Sequence, residues 1–245
     1  MKNPFDSNPS AIAYPATKSP RRAFLKTCAL AGTSLVLANR VATAAEPSAG
    51  AMPTSIFGVI KKRRSVRKFK PDAVPEADIT RILDAARLAP TSGNQQPWKF
   101  LVIRDRAKID QMKEACVQRA LDYYDKRNDS MTTREESEKS ARNNYSNYFS
   151  APVYIVILTD NQSQYPDYNH WDGPLAAGYL MLAARALGYG TVFITDAIPD
   201  VVTKTTLSIP DRYTRVCITP LGVPEAWPDS PPKKKLTEIV AYETF

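Results

Sequence analysis

Histidine is almost missing from this chain of 245 residues: His170 is the only one, and just three cysteines, Cys28, Cys116 and Cys217, accompany it. Zinc sites built on histidine, CxxC metal clips and a disulfide framework therefore have too few ligands. A Ser/His/Asp triad would have to use His170, which makes a hydrolase a poor starting hypothesis. Glycine is sparse as well, nine against twenty prolines, and no internal period marks a solenoid or a propeller. The apolar run from Thr27 to Ala38 stops well short of the roughly 20 residues that cross a bilayer as a helix. What is present, 43% hydrophobic and 24% charged residues, suits one compact core. The formal charge of +8 is unevenly spread. Six basic residues and one acidic residue fall within 1–44, leaving +3 for the rest, too small an excess for a nucleic-acid footprint.

The basic start has a layout of its own. Ser19-Pro20-Arg21-Arg22-Ala23-Phe24-Leu25-Lys26 precedes the Thr27–Ala38 run and the small-residue stretch Val41-Ala42-Thr43-Ala44-Ala45. This is the pattern of an export signal, although a basic tail would share the composition. The paired arginines with Phe-Leu-Lys behind them resemble the twin-arginine signal. That resemblance implies a periplasmic or otherwise exported protein, folded before transfer and in transient contact with the export machinery. Ala42-Thr43-Ala44 fits a cleavage site, so the expected division is a signal over 1–45, a linker over 46–53 and a folded domain over 54–245.

Along that domain the periodicities predict alternating elements. Ser55 can cap a helix to Lys62 with Ile56, Val59 and Ile60 on one face. Pro75 at a first-turn position, then Ile79, Ile82, Leu83 and Ala86, predicts an amphipathic helix ending before Pro90. Trp98–Ile103 reads as a buried strand, and Asp105 can cap a helix carrying Ile109, Met112 and Cys116. Residues 122–147 offer almost no aliphatic side chain and predict exposed helix and loop. Val153–Leu158 is a continuous apolar run suited to burial on both faces. Asp172-Gly173-Pro174 is expected to open a helix with Leu175, Tyr179, Leu182, Ala183 and Ala186 inward, closed by Gly188. A strand at Thr191–Thr195, a helix after Pro199 and a strand at Arg215–Pro220 complete an α/β or α+β order. Lys233–Phe245 is an extension that must dock on something to be ordered.

Two constellations and one isolated run carry chemical potential. Arg63-Arg64-Ser65-Val66-Arg67 gathers three guanidinium groups and a hydroxyl, which suits a phosphate as well as it suits a solvated basic surface. Pro90-Thr91-Ser92-Gly93-Asn94-Gln95-Gln96-Pro97-Trp98 is dense in uncharged donors and acceptors, fit to read the edge of a flat heteroaromatic ring or simply to form a capped loop. Lys233-Lys234-Lys235 can add positive charge to a phosphate subsite. Gly188-Tyr189-Gly190 lacks the third glycine and the following helix of a dinucleotide fingerprint.

In this order the segments resemble the nitroreductase family of FMN enzymes. Arg63-Arg64-Ser65-Val66-Arg67-Lys68-Phe69 is similar to its R-R-S-x-R-x-F opening, and Pro90–Trp98 to its P-S-x-x-N-x-Q-P-W loop, with Thr91 in place of Ser. Ala183-Ala184 through Gly188-Tyr189-Gly190-Thr191 and the Gly222-Val223-Pro224 turn extend the match from about Thr54 to the C-terminus. The resemblance implies an α+β three-layer sandwich: a small, mainly antiparallel sheet covered by helices, with a domain-swapped C-terminal extension. It also implies a homodimer with FMN at the subunit interface. Arg63, Arg64, Ser65 and Arg67, with Lys233 and Lys235, would hold the phosphate and flavin edge. Pro90, Thr91, Ser92 and Asn94 would pack on the ring, from the partner subunit. Asn143 lies near a position where the family often binds flavin, and Thr195 and Asp196 occupy the place of a backbone N–H facing flavin N5. Many members carry glycine beside that point, and this chain does not.

The implied activity is two-electron, ping-pong reduction of a nitroaromatic, quinone or similar flat acceptor. The donor would be NAD(P)H or, outside the cytosol, a redox protein. Such chemistry belongs to the cofactor, so scarce histidine is no objection. A flavin carrier without turnover, or a dehalogenase-type member, would share these motifs.

Overall fold

A computed structural model describes residues 55–127 and 132–245. The expected export signal over 1–45 and the linker over 46–53 lie outside those residues. No described helix is long and apolar enough to cross a membrane.

Three strands form one antiparallel sheet in the order β1-β2-β3: β1 (Trp98–Ile103), β2 (Val153–Asp160) and β3 (Tyr213–Leu221). The apolar run predicted for both-face burial is the central strand, and its side chains divide by parity. Tyr154, Val156 and Leu158 enter one core with Ile109, Met112, Cys116, Ile198 and Val202. Val153, Ile155 and Ile157 enter a second core with Ile79, Ile82, Ala177 and Leu180. The first core lies under α3 (Arg106–Arg127), α4 (Arg134–Tyr148) and α6 (Asp200–Leu207). The second lies under α2 (Glu76–Ala86) and α5 (Asn169–Ala186). Each fully buried Ile or Leu contributes roughly 1.5–3 kcal/mol, so the two apolar layers are what hold the helices on the sheet. Cys116 and Cys217 are free, buried, and belong to opposite cores.

Local signals explain the element ends. Ser55 accepts from the Gly58 N–H at 3.1 Å and starts α1 (Ile56–Lys62). Asp105 accepts from the Ala107 N–H at 2.9 Å, and Thr133 and Glu136 form a capping box at the start of α4. Gly188, at φ 88°, ends α5: its N–H donates to the Arg185 carbonyl and the Tyr189 N–H to the Ala184 carbonyl.

Three expectations are corrected. Pro75 sits one position outside α2, as its N-cap. Helix α5 starts at Asn169, so Pro174 lies inside it, and its inward residues are Gly173, Ala176, Ala177, Leu180 and Ala184. Leu175 and Tyr179, expected inward, are 44% and 42% exposed. The reason is close packing: a Cβ on Gly173 would lie 2.4 Å from the Val216 side chain, so the helix approaches the sheet there through small residues. Finally, Thr191–Thr195 is no continuous strand. The segment is held by isolated bridges, Ser65 to Thr191, Gly190 to Gly222 and Ile194 to Ile218, because it changes partners along its length.

Candidate functional site

The chain leaves α1 in an extended conformation at Arg63, just past Lys61 and Lys62, whose charges suit the negative end of a helix. Val66 then points inward, 1% exposed, and donates its N–H to the Thr191 carbonyl at 3.0 Å. Period-2 alternation consequently turns Ser65 and Arg67 the other way. Arg63, Arg64, Ser65 and Arg67 line a cleft of about 560 Å³ whose opposite wall is the C-terminal segment, with Pro228, Ser230 and Lys233. Asp229 is the sole carboxylate among its lining residues.

Arg64 serves two purposes. Its Nη1 donates to the Lys61 and Arg63 carbonyls at 2.7 and 2.8 Å, securing the end of α1, while its buried Nε has no hydrogen-bond partner. Beside it Arg185, 7% exposed, donates from Nε to the Lys62 carbonyl at 3.2 Å and stacks 3.8 Å from the ring centroid of Trp227. Burial, reinforced by the charge of Arg64, holds the Arg185 pKa below its usual value. Neither guanidinium has a carboxylate partner among the described residues, so Arg185 adds positive charge behind Arg64, which lines the cleft. Guanidinium forks, a hydroxyl and an ammonium are the donor set of a phosphate ester site, and the orphaned Nε marks unmet capacity for an acceptor.

The uncharged bend is a separate structure. Gly93, Asn94 and Gln96 have φ near +50°, a tight turn that presents Gly93 and Asn94 to solvent. Asp172, 2% exposed on α5, pins the bend by accepting from the Ser92 N–H at 3.1 Å and from Gln95 Nε2 at 2.7 Å. Gln95 also exchanges hydrogen bonds with the Tyr165 backbone. At φ 56°, and with a Cβ at position 93 placed 2.5 Å from the Tyr165 ring, the bend favours glycine there.

A third region follows from the Ser65–Thr191 bridge. From Thr191 the chain runs on to Thr195, a reach of about 13 Å at the usual strand rise. Val192 and Ile194 are buried while Phe193 and Thr195 are exposed. Phe193 lines a cavity of about 790 Å³ together with Thr159, His170, Pro174, Arg215 and Val216. The turn after Thr195 is gripped from within by Arg215, whose Nη2 donates to the Thr195 carbonyl at 2.7 Å.

The predicted site residues thus fall into groups. Arg63, Arg64, Ser65, Arg67 and Lys233 share one cleft, Pro90, Thr91, Ser92 and Asn94 form the bend, and Thr195 stands at the far end of the segment bridged to Ser65. Asn143, on the exposed side of α4, and Lys235, whose backbone N–H donates to Glu238, line neither cavity. Asp172, Arg185 and Arg215 are additions. A lone arginine within the apolar β3 sequence was the available signal for Arg215, and a run of small residues ending in Arg185 was the signal for that one.

Fold and site together define an α+β sandwich with a basic cleft at the C-terminal end of its first helix. The chain belongs to the nitroreductase family, whose pattern matches residues 60–223. It is 30% identical to an iodotyrosine deiodinase of Thermotoga neapolitana over 78% of this chain and 98% of that protein. It is 29% identical to a 5,6-dimethylbenzimidazole synthase of Rhodospirillum rubrum, over 66% of this chain and 78% of that one. The crystal structure of an oxidized iodotyrosine deiodinase bound to FMN and 3-iodo-L-tyrosine superposes with a TM-score of 0.63 at 27% identity, covering 78% of this chain and all of that one.

Proposed function

We propose that the protein is an FMN-dependent oxidoreductase that works as a homodimer and reduces a flat acceptor, a nitroaromatic or quinone, by two-electron ping-pong exchange. The observation that carries this reading is the convergence of Arg63, Ser65 and Arg67 with Lys233, from opposite ends of the domain, on one cleft. When bound, FMN supplies the hydride acceptor and donor. The cleft residues hold its phosphate. Thr195, at the far end of the segment bridged to Ser65, and the Pro90–Asn94 bend of the partner subunit would hold its ring.

The dimer is supported by apolar surface that the chain itself leaves bare. On α5, Trp171, Leu175 and Tyr179 recur every four residues and are 57%, 44% and 42% exposed. Phe57, Leu236, Ile239, Tyr242 and Phe245 are more exposed still. A second copy covering these faces, with the C-terminal extension exchanged, would satisfy them isologously.

A dehalogenating reaction is the second reading, favoured by the 30% identity to an iodotyrosine deiodinase. The FMN-reconstituted protein tests both. Under anaerobic conditions with NADH or NADPH, nitroaromatic or quinone turnover supports the first reading and iodide release from 3-iodo-L-tyrosine the second. Flavin that binds but is never reduced by nicotinamide or by a redox protein would mark a carrier instead. Residues 1–45 are proposed to export the folded protein by the twin-arginine route, in which case a redox protein is the donor outside the cytosol. Replacement of Arg21 and Arg22 by lysine should then retain the protein in the cytoplasm.

A further inference from the structure

Beneath the Thr195 turn lies a buried cation that packing does not require. The Arg215 side chain is only 6% exposed, in the core layer between the sheet and α6. Its Nη1 donates to the Ile198 carbonyl at 2.7 Å and to Thr203 Oγ1 at 2.8 Å, and its Nη2 donates to the Thr195 carbonyl at 2.7 Å. Nε lies 3.2 Å from Asp200 Oδ1, a carboxylate that is half exposed. One fork therefore clamps both ends of residues 195–198 and ties them to the first turn of α6. Burial lowers the Arg215 pKa, and Asp200, the two thiols and Asp196 partly offset that.

The sheet is bent to achieve this placement. Cys217 pairs with Ile157 and Arg215 with Leu158, leaving Val216 as an extra residue. Val216 packs with Cys217 on the α2/α5 side. Strict alternation would have turned Arg215 to that side too, and the bulge sends it to the opposite one.

We infer that Arg215 is a positioning residue that aims the Asp196 N–H at the redox-active edge of the flavin and sets the potential there. This rests on the FMN reading above. In a trans peptide the C=O and N–H of one plane point in opposite directions, and no cis bond occurs among the described residues. With the Thr195 carbonyl drawn inward onto the guanidinium, the Asp196 N–H faces outward, on the exposed side where Thr195 and Asp196 lie. A fixed positive charge one peptide behind that donor also strengthens it and favours the reduced, more negative cofactor.

The test compares the FMN-loaded protein with R215M and R215K in two readouts: amide hydrogen exchange over residues 195–198, and the flavin midpoint potential against reference dyes. R215M should accelerate exchange of those amides about tenfold or more, the loss expected for a hydrogen bond to a charged group. Its potential should fall while FMN affinity stays within about threefold, because the distant phosphate cleft is intact. R215K, keeping the charge without the fork, should lie between. If R215M does not fold, D200N and T203V weaken the clamp from the other side and should lower the potential by a smaller amount. Unchanged exchange and potential in a flavin-loaded R215M would overturn this inference alone. Failure of the unsubstituted protein to bind FMN would overturn the cofactor reading, and this inference with it.

Discussion

Substitution of Arg67 by alanine removes a guanidinium that faces the anion cleft without supporting the fold. Arg67 is exposed, and its neighbour Val66 supplies the buried anchor. A net charge-assisted hydrogen bond contributes about 1.5–3 kcal/mol. Solvent screening at an open cleft reduces that to about 1–2 kcal/mol, a loss of roughly 5- to 30-fold in FMN affinity. Riboflavin, which has the ring but no phosphate, should bind R67A and the unsubstituted protein equally within about twofold. K233A should behave alike, and the double variant should fall short of additivity because both groups address one anion. Fluorescence-quenching titrations with both ligands at low and high salt measure these quantities, the salt dependence weakening in R67A. Equal loss of FMN and riboflavin binding, or no loss of either, would refute the phosphate assignment.

Further outcomes follow from the packing. G190A should destabilise the fold by about 1–3 kcal/mol in thermal or urea unfolding, since the new Cβ would lie 2.7 Å from Val66 Cβ and 2.8 and 2.9 Å from its two stiffly held γ-methyl groups, and V66A, which removes those methyl groups, should restore part of that loss. Cys116 and Cys217, both pushed up to about 12 by burial, should resist thiol reagents in the native state and react on unfolding. Their raised folded values mean that the unfolded chain ionises first. The stability they confer is therefore complete below pH 9 and declines as pH rises toward 12, which alkaline unfolding of C116A and C217A would isolate. T133A, which removes the α4 capping box, should cost about 1 kcal/mol in unfolding free energy without altering FMN affinity.

Much of the sandwich is legible in the sequence because it depends on neighbours along the chain. Ile79, Ile82 and Ala86 form a helical stripe and are all buried, and the unbroken apolar run of β2 is central as such runs should be. Helix α5 defeats the same reasoning. Three of its large apolar residues, Trp171, Leu175 and Tyr179, lie on the face that a second copy is proposed to cover, while Gly173, Ala176, Ala177 and Ala184 are buried with Leu180, so hydrophobic size alone misplaces the buried face. The Thr191–Thr195 segment reads as a strand from its composition, yet its partners are Ser65 and Ile218, far apart in sequence. Motif likeness marks Arg63, Ser65, Arg67 and Lys233, and only tertiary structure brings them to one cleft. Arg215 escapes both routes: a single bulge residue decides which core it enters, and strand alternation cannot anticipate that.

Equilibrium binding of FMN to the purified protein, followed by its visible absorption and by sedimentation of the complex, bears most directly on the central claim. The account predicts a saturable, perturbed flavin band with one FMN per chain in a dimeric species, its affinity reduced by added inorganic phosphate. A monodisperse, folded protein that leaves the spectrum of free FMN unchanged at high flavin concentration would contradict it.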